Sequence, residues 1–132
     1  MAELKKFYSD VVLGEVASGD LGYGVYEGTV TWAATMSTGA LLKGSDAAGY
    51  TWAAAADIAD VTAVLVDVRA LGYDETLVAA TDYDMVVAKR GMTLNLNYLE
   101  FSDATGSTAA VVGQLATLGI KATDKVVGNQ PA

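Results

Sequence analysis

The chain has 132 residues, a formal net charge of −8, and neither cysteine nor histidine. So acidic a chain argues against a nucleic-acid partner, because phosphate contacts need clustered Lys and Arg. The missing residue types remove disulfides, thiolate nucleophiles, Ser–His–Asp triads, Cys–His pairs and His or Cys metal ligands. The length fits one domain with a sizeable core. Of the residues, 52% are apolar, but many are Ala and Val, so buried positions are numerous and small.

Residues 1–22 have no sustained period and are broken by Ser9-Asp10, Gly14, Ser18-Gly19-Asp20 and Gly22. Phe7, Tyr8, Val11, Val12 and Leu13 are costly to leave in water, so this segment reads either as a frayed terminus or as an extended arm that orders on a partner. No signal-peptide h-region follows Met1, and no run reaches the ~20 apolar residues of a membrane span. The expected product is soluble and cytoplasmic, without a membrane partner. From Gly28, residues Val30, Trp32, Ala34 and Met36 alternate with Thr29, Thr31, Ala33 and Thr35, which predicts an amphipathic strand. Short strands are predicted again at residues 40–44 and 50–54, although the Ala-rich 53–56 also tolerates helix. Thr62-Ala63-Val64-Leu65-Val66 is apolar on both faces, as expected of a strand between layers or against another subunit. Val64 and Val66 are therefore the candidate oligomer-interface residues.

A loop is expected from Asp67 to Asp74, then strands near 76–81 and 83–89. In Met92-Thr93-Leu94-Asn95-Leu96-Asn97-Tyr98 every second residue is apolar, which predicts a strand with one buried face and one wet face, the two asparagines marking the latter as solvated or hydrogen-bonded to something. After the turn cluster 102–107, Val111, Leu115 and Leu118 follow at i, i+4, i+7, with Val112 widening the stripe. This predicts a helix near 107–119, capped by Ser107 and ended by Gly119 in the left-handed conformation. A helix so short needs a sheet to dock on, here the one carrying Leu94 and Leu96, and each buried aliphatic contributes roughly 1.5–3 kcal/mol. The expected organisation is an arm (1–22), one β-rich domain (23–121) and a tail (122–132). The fold class is α+β, mainly β: a compact, barrel-like sheet domain with one C-terminal helix.

Chemistry is sparsely signalled. Paired carboxylates can hydrolyse glycosides, and Asp82 and Asp84 sit on one face of a strand, but solvated acids are common in a chain this acidic. Asp57 and Asp60 suit a turn or a helix cap. The glycines from Gly14 to Gly28 lack the spacing and the Gly-Lys-Ser/Thr of a phosphate loop. Trp32, Tyr50 and Trp52 are either a stacking platform for a ligand or core. No catalytic, cofactor-binding or metal-ligating residue emerges, and no cofactor is expected.

The order of the short motifs carries more than any one of them. Gly39-Ala40-Leu41-Leu42-Lys43-Gly44 precedes Tyr50-Thr51-Trp52, Ala63-Val64-Leu65-Val66-Asp67 and Val86-Val87-Ala88-Lys89-Arg90-Gly91; Leu99-Glu100-Phe101 and Leu118-Gly119-Ile120 close the series. Over most of residues 28–121 this resembles the lambda-like head decoration (capsid cement) proteins of tailed phages, departing from them in a longer spacer at 67–81 and a tail beyond Ile120. The resemblance implies a non-enzymatic virion protein, made in the host cytoplasm, that binds the outer surface of the expanded capsid as a homotrimer and stabilises it. Its partners would be the major capsid protein and further copies of itself. Phe7, Tyr8, Val11, Val12 and Leu13 would form the capsid-binding arm, adding a strand to an exposed sheet edge. The competing class is a small carbohydrate- or ligand-binding β module that uses Trp32 and Trp52.

Overall fold

The computed structural model describes residues 12–15, 25–67 and 77–124. Its centre is a closed five-stranded barrel. In chain order the barrel strands are β2 (Val25–Thr31), β3 (Leu41–Ser45), β4 (Gly49–Trp52), β5 (Val61–Asp67) and β6 (Asp82–Ala88), arranged β2-β4-β3-β5-β6. All neighbours are antiparallel except β2 and β4, which close the barrel through the parallel bridge Val30–Tyr50. Closure leaves the barrel no free strand edge. Beside it lies a second sheet, ordered β1-β7-β8, from β1 (Val12–Glu15), β7 (Met92–Asn95) and β8 (Lys121–Thr123). The helix α1 (Ala109–Thr117) packs on β8, on the wall strand β5 and on a 3-10 turn at Ala55–Asp60.

Alternation along the barrel strands feeds two cores at once. Val30, Leu42, Tyr50, Ala63, Leu65, Met85 and Val87 fill the barrel. Leu41, Val64, Val66 and Ala88 point out of it and meet Met92, Leu94, Leu99, Phe101, Val111, Leu115, Ile120 and Ala122. β5 is thus apolar on both sides because it is the wall between the two cores. Val64 and Val66 have no exposed surface, and the partner expected on their face is supplied by the chain's own helix and second sheet.

Several sequence expectations shift. The strand expected to run through Met36 ends at Thr31, and Met36 turns back through its N–H to the Ala33 carbonyl. Residues 77–81 form a turn rather than a strand, tied to Trp32 by the bond from the Ala80 N–H to the Trp32 carbonyl and by the bond from the Trp32 N–H to Thr81. The strand predicted over 92–98 stops at Asn95, which is buried; its side chain accepts from the Asn97 N–H at 3.1 Å and caps the 3-10 turn Leu96–Tyr98. The helix N-cap is Thr108, whose Oγ1 accepts from the Val111 N–H at 3.3 Å, whereas Ser107 donates to the Leu96 carbonyl at 2.8 Å.

The helix C-terminus matches its expectation. Gly119 takes φ 79, its N–H bonds to the Ala116 carbonyl, and the Ile120 N–H reaches Leu115, a Schellman arrangement that buries Ile120 beside Leu115. The region expected to be a tail opens as β8, parallel to β7, with residues 125–132 outside the described part.

Candidate functional site

No single recess gathers chemistry among the described residues. A seam beneath α1, lined by Leu41, Ile58, Val61, Val111, Gln114 and Leu115, leaves no room for a water molecule. Tyr50 reaches from the barrel interior to its rim, where its hydroxyl donates to Asp46 Oδ1 at 2.8 Å; Lys89 Nζ clasps the other oxygen of the same carboxylate. Gly28 makes room for that ring, since a Cβ there would lie 3.0 Å from Tyr50 Cε2. The Lys89 hydrogen bond, with that from Tyr50, holds the Asp46 carboxyl below the usual carboxylate range. Burial, reinforced by Asp46, pushes the Tyr50 phenol up. Asp57 accepts from Lys43 Nζ at 3.0 Å and from the Ala54 N–H at 3.4 Å, and the lysine first and the N–H second lower its pKa. Asp57 thus fixes the start of the 3-10 turn, the capping role its spacing suggested. These two clusters tie the barrel's hairpin and wall together.

The aromatic platform is not assembled. Tyr50 is buried, and Trp32 and Trp52 are half-buried against the barrel core. The Trp52 indole N–H also donates to the Glu100 carbonyl at 3.0 Å. Asp82 and Asp84 lie on one outward face, as their spacing required, and each is matched to a threonine across the β2–β6 pair. Thr31 Oγ1 donates to Asp82 at 2.6 Å and Thr29 Oγ1 to Asp84 at 3.3 Å. Glu27 continues the same exposed face, and no ion pair reaches these three acids among the described residues.

Sequence reasoning missed the turn at 77–81. Val78 there is 60% exposed, the most exposed large apolar side chain among the described residues. The β-favouring pattern of this stretch masked it, although five small or apolar residues in a row (Leu77 to Thr81, with two alanines) were the available signal.

Of the candidate arm residues, Phe7, Tyr8 and Val11 lie outside the described part. Val12 and Leu13 belong to β1, which pairs antiparallel with β7 of the same chain, and Val12 packs on the outer core. The arm expectation for this portion is therefore corrected: β1 is a strand of the protein's own sheet. Val64 and Val66, the expected interface pair, are the interior wall described above.

Over residues 1–132 the chain matches the family model described as the bacteriophage PhiTE minor capsid decoration protein. The chain belongs to that family. No curated protein and no solved structure matches it. The resemblance drawn from motif order is thus met: this is a phage head decoration protein, a structural component of the virion capsid. For a decoration protein the site that matters is surface, and on this one the outward face of β2–β6 and the exposed turn beside it stand out.

Proposed function

We propose that this decoration protein is non-enzymatic, binds the major capsid protein on the outer surface of the expanded head, and stabilises the shell as a homotrimer. The match to the decoration family over the whole chain is the observation that carries this reading. The build is compatible with it: two filled cores give a stiff body whose remaining resource is its outer surface. The trimer is proposed to form around the outer strands β1 and β8, which flank β7 in the second sheet. Phe7, Tyr8 and Val11 are proposed to reach the capsid ahead of β1. Repetition over one shell would multiply weak contacts.

The test is co-sedimentation of the full-length protein with emptied expanded heads and with unexpanded proheads of its phage, alongside its mass in solution by sedimentation equilibrium. Saturable binding to expanded heads and a threefold mass are expected. Absence of binding to either shell would overturn the reading. Removing residues 1–11, which spares β1, is expected to leave a folded protein with weakened binding; undiminished binding would refute the arm.

A further inference from the structure

We propose that the turn at 77–81, with the outward face of β2 and β6 beside it, is a docking surface for an apolar recess ringed by Lys or Arg on the capsid shell. This inference rests on the decoration reading above. Val78 is the knob: it stands 60% exposed while Leu77, its neighbour, packs into the barrel mouth with Trp32 and Tyr83. The turn holds Val78 in a fixed position. The Ala80 N–H bonds to the Trp32 carbonyl at 2.7 Å, and the Trp32 N–H returns to Thr81 at 2.9 Å. The Val78 N–H itself is held by the Tyr83 hydroxyl at 3.0 Å. Ala80 adopts φ 61, a left-handed conformation that a residue with a Cβ keeps only when its surroundings impose it. A side chain already ordered in the free protein loses less freedom on binding.

Charge selects the occupant. Where the turn ends, β6 begins, and Asp82, Asp84 and Glu27 share one exposed face, carboxylates with no cation among the described residues. Two lysines of the barrel are paired with other acids, Lys43 with Asp57 and Lys89 with Asp46. The Thr29 and Thr31 hydroxyls donate to Asp84 and Asp82 and orient both side chains on the outward face. A second copy is a poor occupant: face to face it would set acid against acid, and any other face it offered would belong to a chain of net charge −8. A basic protein surface on the shell fits both the knob and the charge.

The experiment measures binding of the full-length protein to expanded capsids of its phage across a salt series. Two variants are compared with the parent: Val78→Asp, and Asp82→Asn with Asp84→Asn, which keeps side-chain shape and the threonine partners. Val78→Asp is expected to weaken binding about tenfold or more, as loss of an interface anchor does. The double variant is expected to flatten the salt dependence and weaken binding several-fold at low salt. Thermal unfolding of each should match the parent; if Val78→Asp melts early, Val78→Ser takes its place. Parental affinity and salt slope in both variants, while the parent binds, would overturn this surface and leave the decoration reading standing. A parent that binds no expanded capsid would remove that reading and this inference with it.

Discussion

Replacing Val64 by alanine separates a core wall from a subunit contact. Val64 is fully buried on β5, in register with Leu41 on one side and Ala88 on the other, and it packs in the cluster that holds Met92, Leu94 and Leu115. The substitution removes the equivalent of two methylenes, about 1.6 kcal/mol of transfer free energy at about 0.8 kcal/mol each. The cavity left in a wall pinned from both sides adds to that, giving about 2–3 kcal/mol in all. Urea unfolding followed by tryptophan fluorescence would show it as a midpoint lower by about 1–1.5 M, for a slope near 2 kcal/mol per M. Because the contacts lie within one chain, the decrement should be the same at protein concentrations tenfold apart. Leu65→Ala, on the opposite face of the same strand, should cost about 2–5 kcal/mol in the same way. A Val64→Ala protein as stable as the parent when dilute, but impaired in self-association, would refute the two-core reading and return Val64 to an interface.

Three further outcomes are expected. Thr108→Ala removes the helix N-cap and should cost about 1 kcal/mol in chemical denaturation, whereas Ser107→Ala, whose hydroxyl bonds outside the helix, should leave helix content unchanged. Gly44→Ala should be among the most damaging single changes, because a Cβ there would lie 2.1 Å from the Gly49 carbonyl oxygen across the β3–β4 hairpin and φ is 126; loss of soluble protein or a drop of several degrees in Tm checks it. Stability should fall at both pH extremes. Asp46 and Asp57 have folded pKa values below their unfolded ones, so their contribution is present above about pH 4 and is lost as pH falls through the folded values. The raised Tyr50 phenol acts in the opposite direction: its contribution is present below about pH 10 and is lost as pH rises beyond that. Tyr50→Phe should flatten the alkaline limb of a Tm-against-pH curve and leave the contribution of Asp57 to the acid limb.

What the sequence disclosed was whatever is decided within a few residues. Gly119-Ile120 ended the helix where expected, because a left-handed C′ residue and the apolar residue after it act on the turn just before them. The two-sided apolar pattern of β5 was equally readable as burial on both faces. The identity of what covers the second face was not, since α1 and β7 reach it from far along the chain. Asn95 shows the limit in the other direction. Two asparagines in an alternating pattern left a solvated and a hydrogen-bonded face both open; for Asn95 the second holds, since its side-chain oxygen caps the turn that ends the strand. The stretch at 77–81 was misread because the bonds to Trp32 close it as a turn with Ala80 at φ 61, a tertiary constraint that overrides its β propensity.

The same logic explains why the surface was the hardest part to read. The spacing of Asp82 and Asp84 placed both on one face, and Thr29 and Thr31 carry the same period, yet only the antiparallel register of β2 with β6 sets each threonine opposite its acid. An isolated pair of acids is solvated and unremarked; acids held outward by hydroxyls, uncompensated, beside a fixed apolar knob, make a surface with a directional preference for a basic partner. Among the described residues, with both cores filled and the barrel closed, that outer face and the second sheet are the two surfaces proposed for recognition. The two should separate by experiment. Charge variants at Asp82 and Asp84 should alter capture by the shell and its salt dependence while self-association is unchanged; proline substitutions within β8 should alter self-association first.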